Sequence, residues 1–191
     1  RPGAIRRQPW PRGRLVGMAE LNEQNAARGR PRFEMGIGVN TGIARVGNTG
    51  STRKFKYGPL GNSVNLASRV QGATKYLKSS LLITGATREQ LRGSFAVRRL
   101  CKVRVVNITQ PVELFELQTN STEVTNSLCL RYEQALDKFD RGEFRECAKM
   151  LGRLLIDFPD DGPSLVLLSR AVTVLIEERH DVSNEWELPG K

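Results

Sequence analysis

The stretch Gly58–Leu77, GPLGNSVNLASRVQGATKYL, enters a helix through a glycine-rich turn. From Asn62 to Leu77 the apolar residues Val64, Ala67, Val70, Ala73 and Leu77 recur every three or four positions, the buried stripe of an amphipathic helix. Asn65 and Arg69 stand at i and i+4, so both project from one stripe about 100° round from Val64. An amide and a guanidinium placed there can reach the same anion. Arg offers five donors in a planar fork suited to phosphate oxygens, and Asn can donate to a sugar oxygen or accept from a hydroxyl. Spacing alone favours the plainer alternative, in which Asn65 caps or crosses a turn and Arg69 is solvated.

Working outward, Met18–Ala27 reads as a short helix stopped by the Arg-Gly-Arg-Pro of residues 28–31. FEMGIGVNTG then alternates Phe33, Met35, Ile37 and Val39 on one face, which predicts a strand. IARVGN and the stretch around Phe55 and Tyr57 predict a hairpin ahead of the helix, and LLIT (81–84) predicts a short buried strand. A small helix over 86–91 and a closing pair of strands, FAVRRLCKVRVV and VELFEL, complete an α/β arrangement with an antiparallel share. After the low-complexity QTNSTEVTNS, apolar residues recur helically at Leu128–Phe139, Phe144–Leu155 and Leu165–Ile176. Gly142 separates the first two of these helices and FPDDGP the second from the third. The expected organisation is an irregular Arg/Pro-rich leader with a short helix (1–31), an α/β domain (32–118), a linker (119–127), a helical tail (128–180) and a C-terminal tail (181–191). The helical tail resembles a single tetratricopeptide-like unit, whose usual role is to bind or pack against protein.

The 191 residues carry a formal net charge of +10, and that charge is uneven. Residues 1–117 hold 21 Lys and Arg against 6 Glu and no Asp, whereas residues 118–191 hold 9 against 14. The basic half favours anionic partners. Its excess arginines lie mostly in the leader and no aromatic residues interleave with them, so nucleic acid is not the expected partner. Cys101, Cys129 and Cys147 are odd in number and widely spaced, which fits neither a disulfide framework nor a zinc site and points to a reduced, cytoplasmic setting. With His180 the one histidine, catalysis built on a histidine base or a histidine-rich metal site is not expected. No run approaches the roughly 18 apolar residues of a membrane span, although a membrane anchor elsewhere on the intact protein stays open. The chain begins at Arg1 and is expected to be a piece of a longer protein.

The string Gly36–Lys75, GIGVNTGIARVGNTGSTRKFKYGPLGNSVNLASRVQGATK, resembles the catalytic domain of class III adenylate and guanylate cyclases. It carries the Thr-Gly turn, the Val-Gly-Asn, the Tyr before the nucleotide-contacting turn and Gly-x-x-Val-Asn-x-Ala-x-Arg in one order and spacing, and the likeness runs over about residues 33–118. The resemblance implies a ferredoxin-like core that pairs head to tail as a homodimer, with ATP at the interface and two divalent ions, Mg2+ or Mn2+, beside it. By position it makes Asn65 the residue that orients the ribose and Arg69 the one that stabilises charge on the α-phosphate. Substrate contacts are implied at Gly58, Pro59 and Val64.

The sequence also departs from that pattern. The two metal-holding aspartates of the family belong to a half of the domain preceding Phe33. The first aspartate here is Asp137, and Glu20, Glu23 and Glu34 match neither motif. No metal ligand is therefore expected in this chain. The base-selecting position after Tyr57 is Gly58, which has no side chain, so ATP is expected over GTP only because most bacterial proteins of this pattern are adenylate cyclases. Where many members place a phosphate-binding Lys the alignment gives Ile108, with Lys102 and Arg104 nearby, and an Arg ahead of the Thr-Gly strand is displaced, Arg32 being nearest. The leading expectation is an adenylate cyclase lacking its metal-binding half and so inactive alone. The alternative is a noncatalytic remnant that dimerises through the cyclase-like surface and binds protein through the helical tail.

Overall fold

Two glycines, one just before the first core strand and one within it, bring a helix into direct contact with the sheet. The computed structural model describes residues 12–51, 54–92, 95–105, 108, 110–118, 121–177 and 183–187. In chain order the elements are α1 (Arg12–Ala27), β1 (Ile37–Val39), β2 (Arg45–Ser51), β3 (Lys54–Leu60), α2 (Asn62–Leu77), β4 (Leu81–Thr84), α3 (Gly85–Glu89), β5 (Val97–Arg104), β6 (Val112–Leu117), α4 (Glu123–Asp140), α5 (Phe144–Asp157), α6 (Gly162–Ile176) and β7 (Glu185–Glu187). A Cβ added at Gly36 would lie 2.0 Å from Thr74 Oγ1, and one at Gly38 would lie 2.1 Å from the Gln71 backbone nitrogen. The strand therefore lies flat on α2, and no side chain fits at position 38 unless the helix moves.

The main sheet has the order β1-β4-β6-β5-β7, and β2 and β3 form a separate antiparallel pair. β1 runs parallel to β4, so the hairpin and α2 make the crossover between them. The mixed α/β expectation holds. All four residues of β4 are buried, as a strand covered on both faces requires. Leu82 packs with α2 and the tail helices on one face, while Leu81 and Ile83 pack with Phe115 and Leu117 on the other. Burial rises along α2 from half-buried Val64 and Ala67 to buried Val70, Ala73 and Leu77. Its N-terminal half stands less deeply in the core than its C-terminal half.

The tail helices share the core of the sheet. Tyr132, Leu136 and Phe139 of α4, Leu151 and Leu154 of α5 and Leu167 of α6 belong to one apolar cluster with Leu100, Val103 and Leu114. Polar groups fix the register of this packing. Tyr132 donates from its hydroxyl to the Leu100 carbonyl at 3.2 Å. The β5–β6 register shifts between Arg99 and Cys101, and the Arg99 backbone N–H donates to Glu133 Oε1 at 2.7 Å. Arg98, 1% exposed, donates from Nε and a terminal nitrogen to Glu116 Oε2 and through both terminal nitrogens to Asp161, with its guanidinium 4.7 Å from the Tyr132 ring centroid. Burial opposes its charge, but Glu116 and Asp161 outweigh burial and raise its pKa above the ordinary arginine value.

Several boundaries differ from those the sequence suggests. α1 starts at Arg12 rather than Met18, over residues that carry no apolar periodicity. Within 119–127, expected as linker, α4 begins at Glu123 because the Thr122 side chain accepts from the Thr125 N–H at 3.2 Å, so that the Ser/Thr-rich stretch serves as a helix cap. α6 begins at Gly162, capped by Asp161, which accepts from the Ser164 N–H at 3.0 Å. Within 181–191, Glu185–Glu187 adds to the sheet as a strand parallel to β5 and buries Trp186 against Arg170.

Two outcomes follow from this packing. Arg98→Met leaves two carboxylates buried without their cation and should cost about 3–5 kcal/mol in urea denaturation, whereas Arg131→Ala, which removes an exposed pair with Asp157, should cost under about 1 kcal/mol. Burial pushes the thiols of Cys101 and Cys147 up to about 12 and that of Cys129 up to about 11. The folded chain holds these protons longer than the unfolded chain, so stability is full below the ordinary thiol pKa and is lost as pH rises from there through the folded values. Urea midpoints should fall between about pH 9 and pH 11, and replacing the three cysteines with alanine should flatten that fall.

Candidate functional site

The connection between the hairpin and α2 is a single residue, Gly61, at φ 124°, a conformation that side-chain-bearing residues rarely adopt. Gly61 caps α2 through its backbone carbonyl, which accepts from the N–H groups of Val64 and Asn65 at 3.1 Å each, with no side-chain cap. The position of β3 is thereby tied to the first turn of the helix. A set of small polar side chains ties the other end of the hairpin to the same turn. Asn40 donates to the Ser63 carbonyl at 3.0 Å and accepts from Thr84 Oγ1 at 2.8 Å, and Ser63 Oγ donates to the Ile43 carbonyl at 2.8 Å. Thr41 donates to Thr87 Oγ1 at 3.1 Å, and Thr87 donates to the Val39 carbonyl at 3.3 Å. A Cβ at Gly42 would sit 2.5 Å from Ser63 Oγ, so glycine is required for this closeness.

On this frame Asn65 and Arg69 are both exposed, on the stripe of α2 turned away from the core. Neither side chain has a hydrogen-bond or ion-pair partner among the described residues. No carboxylate occurs between Glu34 and Glu89 in the sequence, so the surroundings of Arg69 within this segment are uniformly neutral or basic. Gly58 is half-exposed and pairs with Gly47 across the hairpin, and Pro59, exposed, pairs with Val46. A Cβ at Gly47 or Gly58 would meet nothing within 4 Å. Packing does not require glycine at either position, and the two together leave an open step in the hairpin surface. Pro59, which has no N–H to give, is tolerated because the two-stranded hairpin leaves each strand a free edge. Val64 is half-buried on the core side of the helix. Around the step the hairpin exposes Ile43 (94%), Val46 (60%), Phe55 (70%) and Tyr57 (70%).

The other candidate phosphate contacts lie in different surroundings. Arg104 donates to Glu185 Oε2 at 2.6 Å, which occupies its fork, and Lys102 is 3.7 Å from Glu113. Ile108 is half-buried and Arg32 is exposed. Among the described residues no group of three or more His, Cys, Asp or Glu is placed to hold a metal ion. Glu20, Glu23 and Glu34 are exposed, and Asp137 is engaged by Arg99, so the donors present do not fit a divalent-ion site. His180 lies outside the described residues. An open cleft of about 920 Å³ lies at the opposite end of α2, lined by Asn22, Phe33, Thr74, Lys78, Glu116 and Asp161 among others, and touches neither Asn65 nor Arg69. The sequence singles out Asn65 and Arg69, which α2 carries on one exposed stripe, but not the polar stitching by Asn40, Ser63, Thr84 and Thr87. The available signal was a set of Asn and Thr residues ending otherwise apolar strands.

Residues 15–118 match the family described as the adenylate and guanylate cyclase catalytic domain. Among curated relatives, the terminal-differentiation-specific adenylate cyclase of Dictyostelium discoideum is 28% identical over 146 residues, 73% of this chain and 7% of that protein. Adenylate cyclase 1 of Rhizobium meliloti is 30% identical over 97 residues, 51% of this chain and 15% of its own length. An adenylate cyclase of Anabaena cylindrica is 31% identical over 102 residues, 52% of this chain and 20% of its own length. The chain thus spans a fifth or less of the length of these relatives. Of solved structures, the guanylyl cyclase Cya2 matches at 30% identity and a TM-score of 0.48, over 56% of this chain and 53% of that one. The adenylyl cyclase CyaB from P. aeruginosa matches at 28% identity with the same score, over 56% and 54%.

Asn40→Ala removes two hydrogen bonds together, the one to the Ser63 carbonyl and the one from the Thr84 hydroxyl. It should lower stability by about 1–3 kcal/mol in urea and should raise amide exchange in β2 and β3 ahead of that in β5 and β6.

Proposed function

The chain belongs to the adenylate and guanylate cyclase catalytic-domain family, and on that premise we propose that it supplies the ribose- and phosphate-contacting side of an adenylate cyclase site, which converts ATP to cyclic AMP and pyrophosphate. The observation that carries this reading is the pair Asn65 and Arg69, exposed on one stripe of α2 with neither side chain partnered by another described residue. Arg98, Arg99, Arg104 and Arg131 each find an acid, and Arg170 lies over the rings of Trp186 and Phe139. Arg69 has no such partner among the described residues, and its fork is left for an anion.

In the reaction a bond forms between the ribose 3′ oxygen and the α-phosphorus while the bond from that phosphorus to the leaving pyrophosphate oxygen breaks. Charge grows on the oxygens in flight. Asn65 orients the ribose so that its 3′ oxygen lies in line, and Arg69, one turn on, donates to the α-phosphate oxygens. Donors held in place before charge develops cost no reorganisation during the step, which is why they carry much of such catalysis. The open step at Gly47 and Gly58 receives the base, with Pro59 and Val64 beside it, and adenine is the base we assign because the curated relatives quoted above are adenylate cyclases.

Both side chains face outward, so the site closes against a second surface, which we assign to another copy of the chain packed head to tail on the apolar hairpin. The family reaction also uses two divalent ions, Mg2+ or Mn2+. The donor set among the described residues does not fit them, and their ligands are assigned to residues outside that set. That same mismatch favours a second reading, a noncatalytic partner that dimerises through the hairpin. In either reading the outer face of α6, where Leu165, Val172 and Ile176 are exposed, is the surface we assign to a protein partner. No helix among the described residues is long and apolar enough to cross a membrane.

Cyclic AMP formation from ATP with manganese, measured on the intact protein, separates the two readings. Arg69→Ala should reduce turnover by about 10²- to 10³-fold with an unchanged urea midpoint, since the exposed Arg69 has no hydrogen-bond or ion-pair partner among the described residues. Turnover that survives the substitution removes Arg69 from the mechanism, and an intact wild-type protein without turnover on ATP or GTP leaves the noncatalytic reading.

A further inference from the structure

The far end of α2 is enclosed by a ring of contacts that passes through the helical tail. The helix ends at Lys78, in the left-handed conformation at φ 53°, with its N–H on the Thr74 carbonyl. The next residue, Ser79, is buried and donates from Oγ to Glu116 Oε1 at 2.7 Å. Glu116 is held by Arg98, Arg98 holds Asp161, and Asp161 caps α6. The first residue of α6, Gly162, closes the ring. A Cβ at Gly162 would lie 2.4 Å from Lys78 Cβ and 2.5 Å from the Lys78 carbonyl oxygen. The start of α6 therefore abuts the end of α2, with no room for one methyl group.

We infer that the helical tail braces α2 through Gly162, so that the seating of the tail sets where Asn65 and Arg69 stand. The inference rests on the cyclase reading for its functional meaning, and on geometry alone for its mechanics. β1 supplies the fulcrum, because Gly38 touches the backbone of Gln71 near the middle of the helix. At 1.5 Å rise per residue, Lys78 lies about 10 Å beyond that fulcrum and Asn65 about 9 Å before it. The arms are nearly equal. A displacement of about 1 Å at Lys78 thus becomes one of similar size and opposite direction at Asn65, and a misplacement of that size can cost about 10²-fold in rate. Gly162 and Asp161 are on this account positioning residues, acting through α2 on the pair that meets the nucleotide.

Amide exchange on the 191-residue chain, followed by NMR with the Asn65 side-chain amide as a further reporter, tests the brace without turnover. A Gly162→Ala substitution favours the helix on propensity, so any loosening comes from the contact with Lys78. Asp161→Asn supplies a second variant that keeps the capping oxygen and removes the charge facing Arg98. The brace predicts that both variants shift the Asn65 side-chain amide and speed exchange at Val64–Leu66 about tenfold, while Cys147–Leu151 of α5 stays protected. Changes confined to Thr74–Ser79 and α6, or no change at all, overturn it. Should Gly162→Ala unfold the chain, the Asp161→Asn pattern decides alone. In the intact protein the same variants should lower kcat about tenfold with KM within about twofold. Because exchange needs no catalysis, an inactive intact protein would refute the cyclase reading and still leave the brace decided.

Discussion

Arg98 is the charge around which the rest of the molecule is arranged. Its two acids come from different parts of the chain, Glu116 from the neighbouring strand and Asp161 from the cap of α6. The sheet and the tail cannot part without leaving at least one of these groups unpaired in an apolar setting. Such a triad can often be replaced by well-packed apolar residues at little net cost in stability, so its distinctive contribution is registration. It holds the cap of α6 at one place on the sheet, and that place puts Gly162 against the end of α2. The apolar contacts of the shared cluster, Tyr132, Leu136 and Leu167 among them, then add burial energy to an arrangement already aligned.

The elements that the sequence shows plainly are those with one dominant period. α2 was legible end to end because its apolar stripe is uninterrupted, and LLIT because three consecutive apolar residues between turn signals read as a covered strand. The docking of the tail was not legible. Arg98 and Arg99 are adjacent in FAVRRLCKVRVV and look alike, yet Arg98 is fully buried while Arg99 reaches toward Asp137 and Asp140 on α4. Which of two neighbouring arginines turns inward depends on acids 18 and 63 residues away, a distance no local pattern spans. The strand at Glu185–Glu187 was equally hidden, because three residues, one of them a tryptophan, carry no period. A polar stretch read as a linker became the cap of α4 for the same reason that caps and loops share Ser and Thr.

At the candidate site the residues were legible and their support was not. Asn65 and Arg69 stood out because their motif is long and ordered, whereas Asn40, Ser63, Thr84 and Thr87 are common residues whose meaning comes from being brought together by the β1–β4 pairing. The consequence is a division of labour along one helix. Its N-terminal half is tied to the strand ends and the hairpin by small polar groups and carries the outward amide and guanidinium. Its C-terminal half is buried, rests on Gly38 of β1 and on Gly36 just before it, and ends against the tail. The glycines at 36, 38 and 162 are thus conditions of closeness, while those at 47 and 58 are openings.

The central claim is that the outward stripe of α2 meets a nucleotide, and the most direct measurement is an ATP titration of the protein observed at the Asn65 side-chain amide and the Arg69 Nε resonance. Saturable shifts of both, lost when ATP is replaced by adenosine for Arg69 but retained in part for Asn65, are the result this account predicts. Resonances at positions 65 and 69 that stay unmoved while ATP shifts residues elsewhere would contradict it.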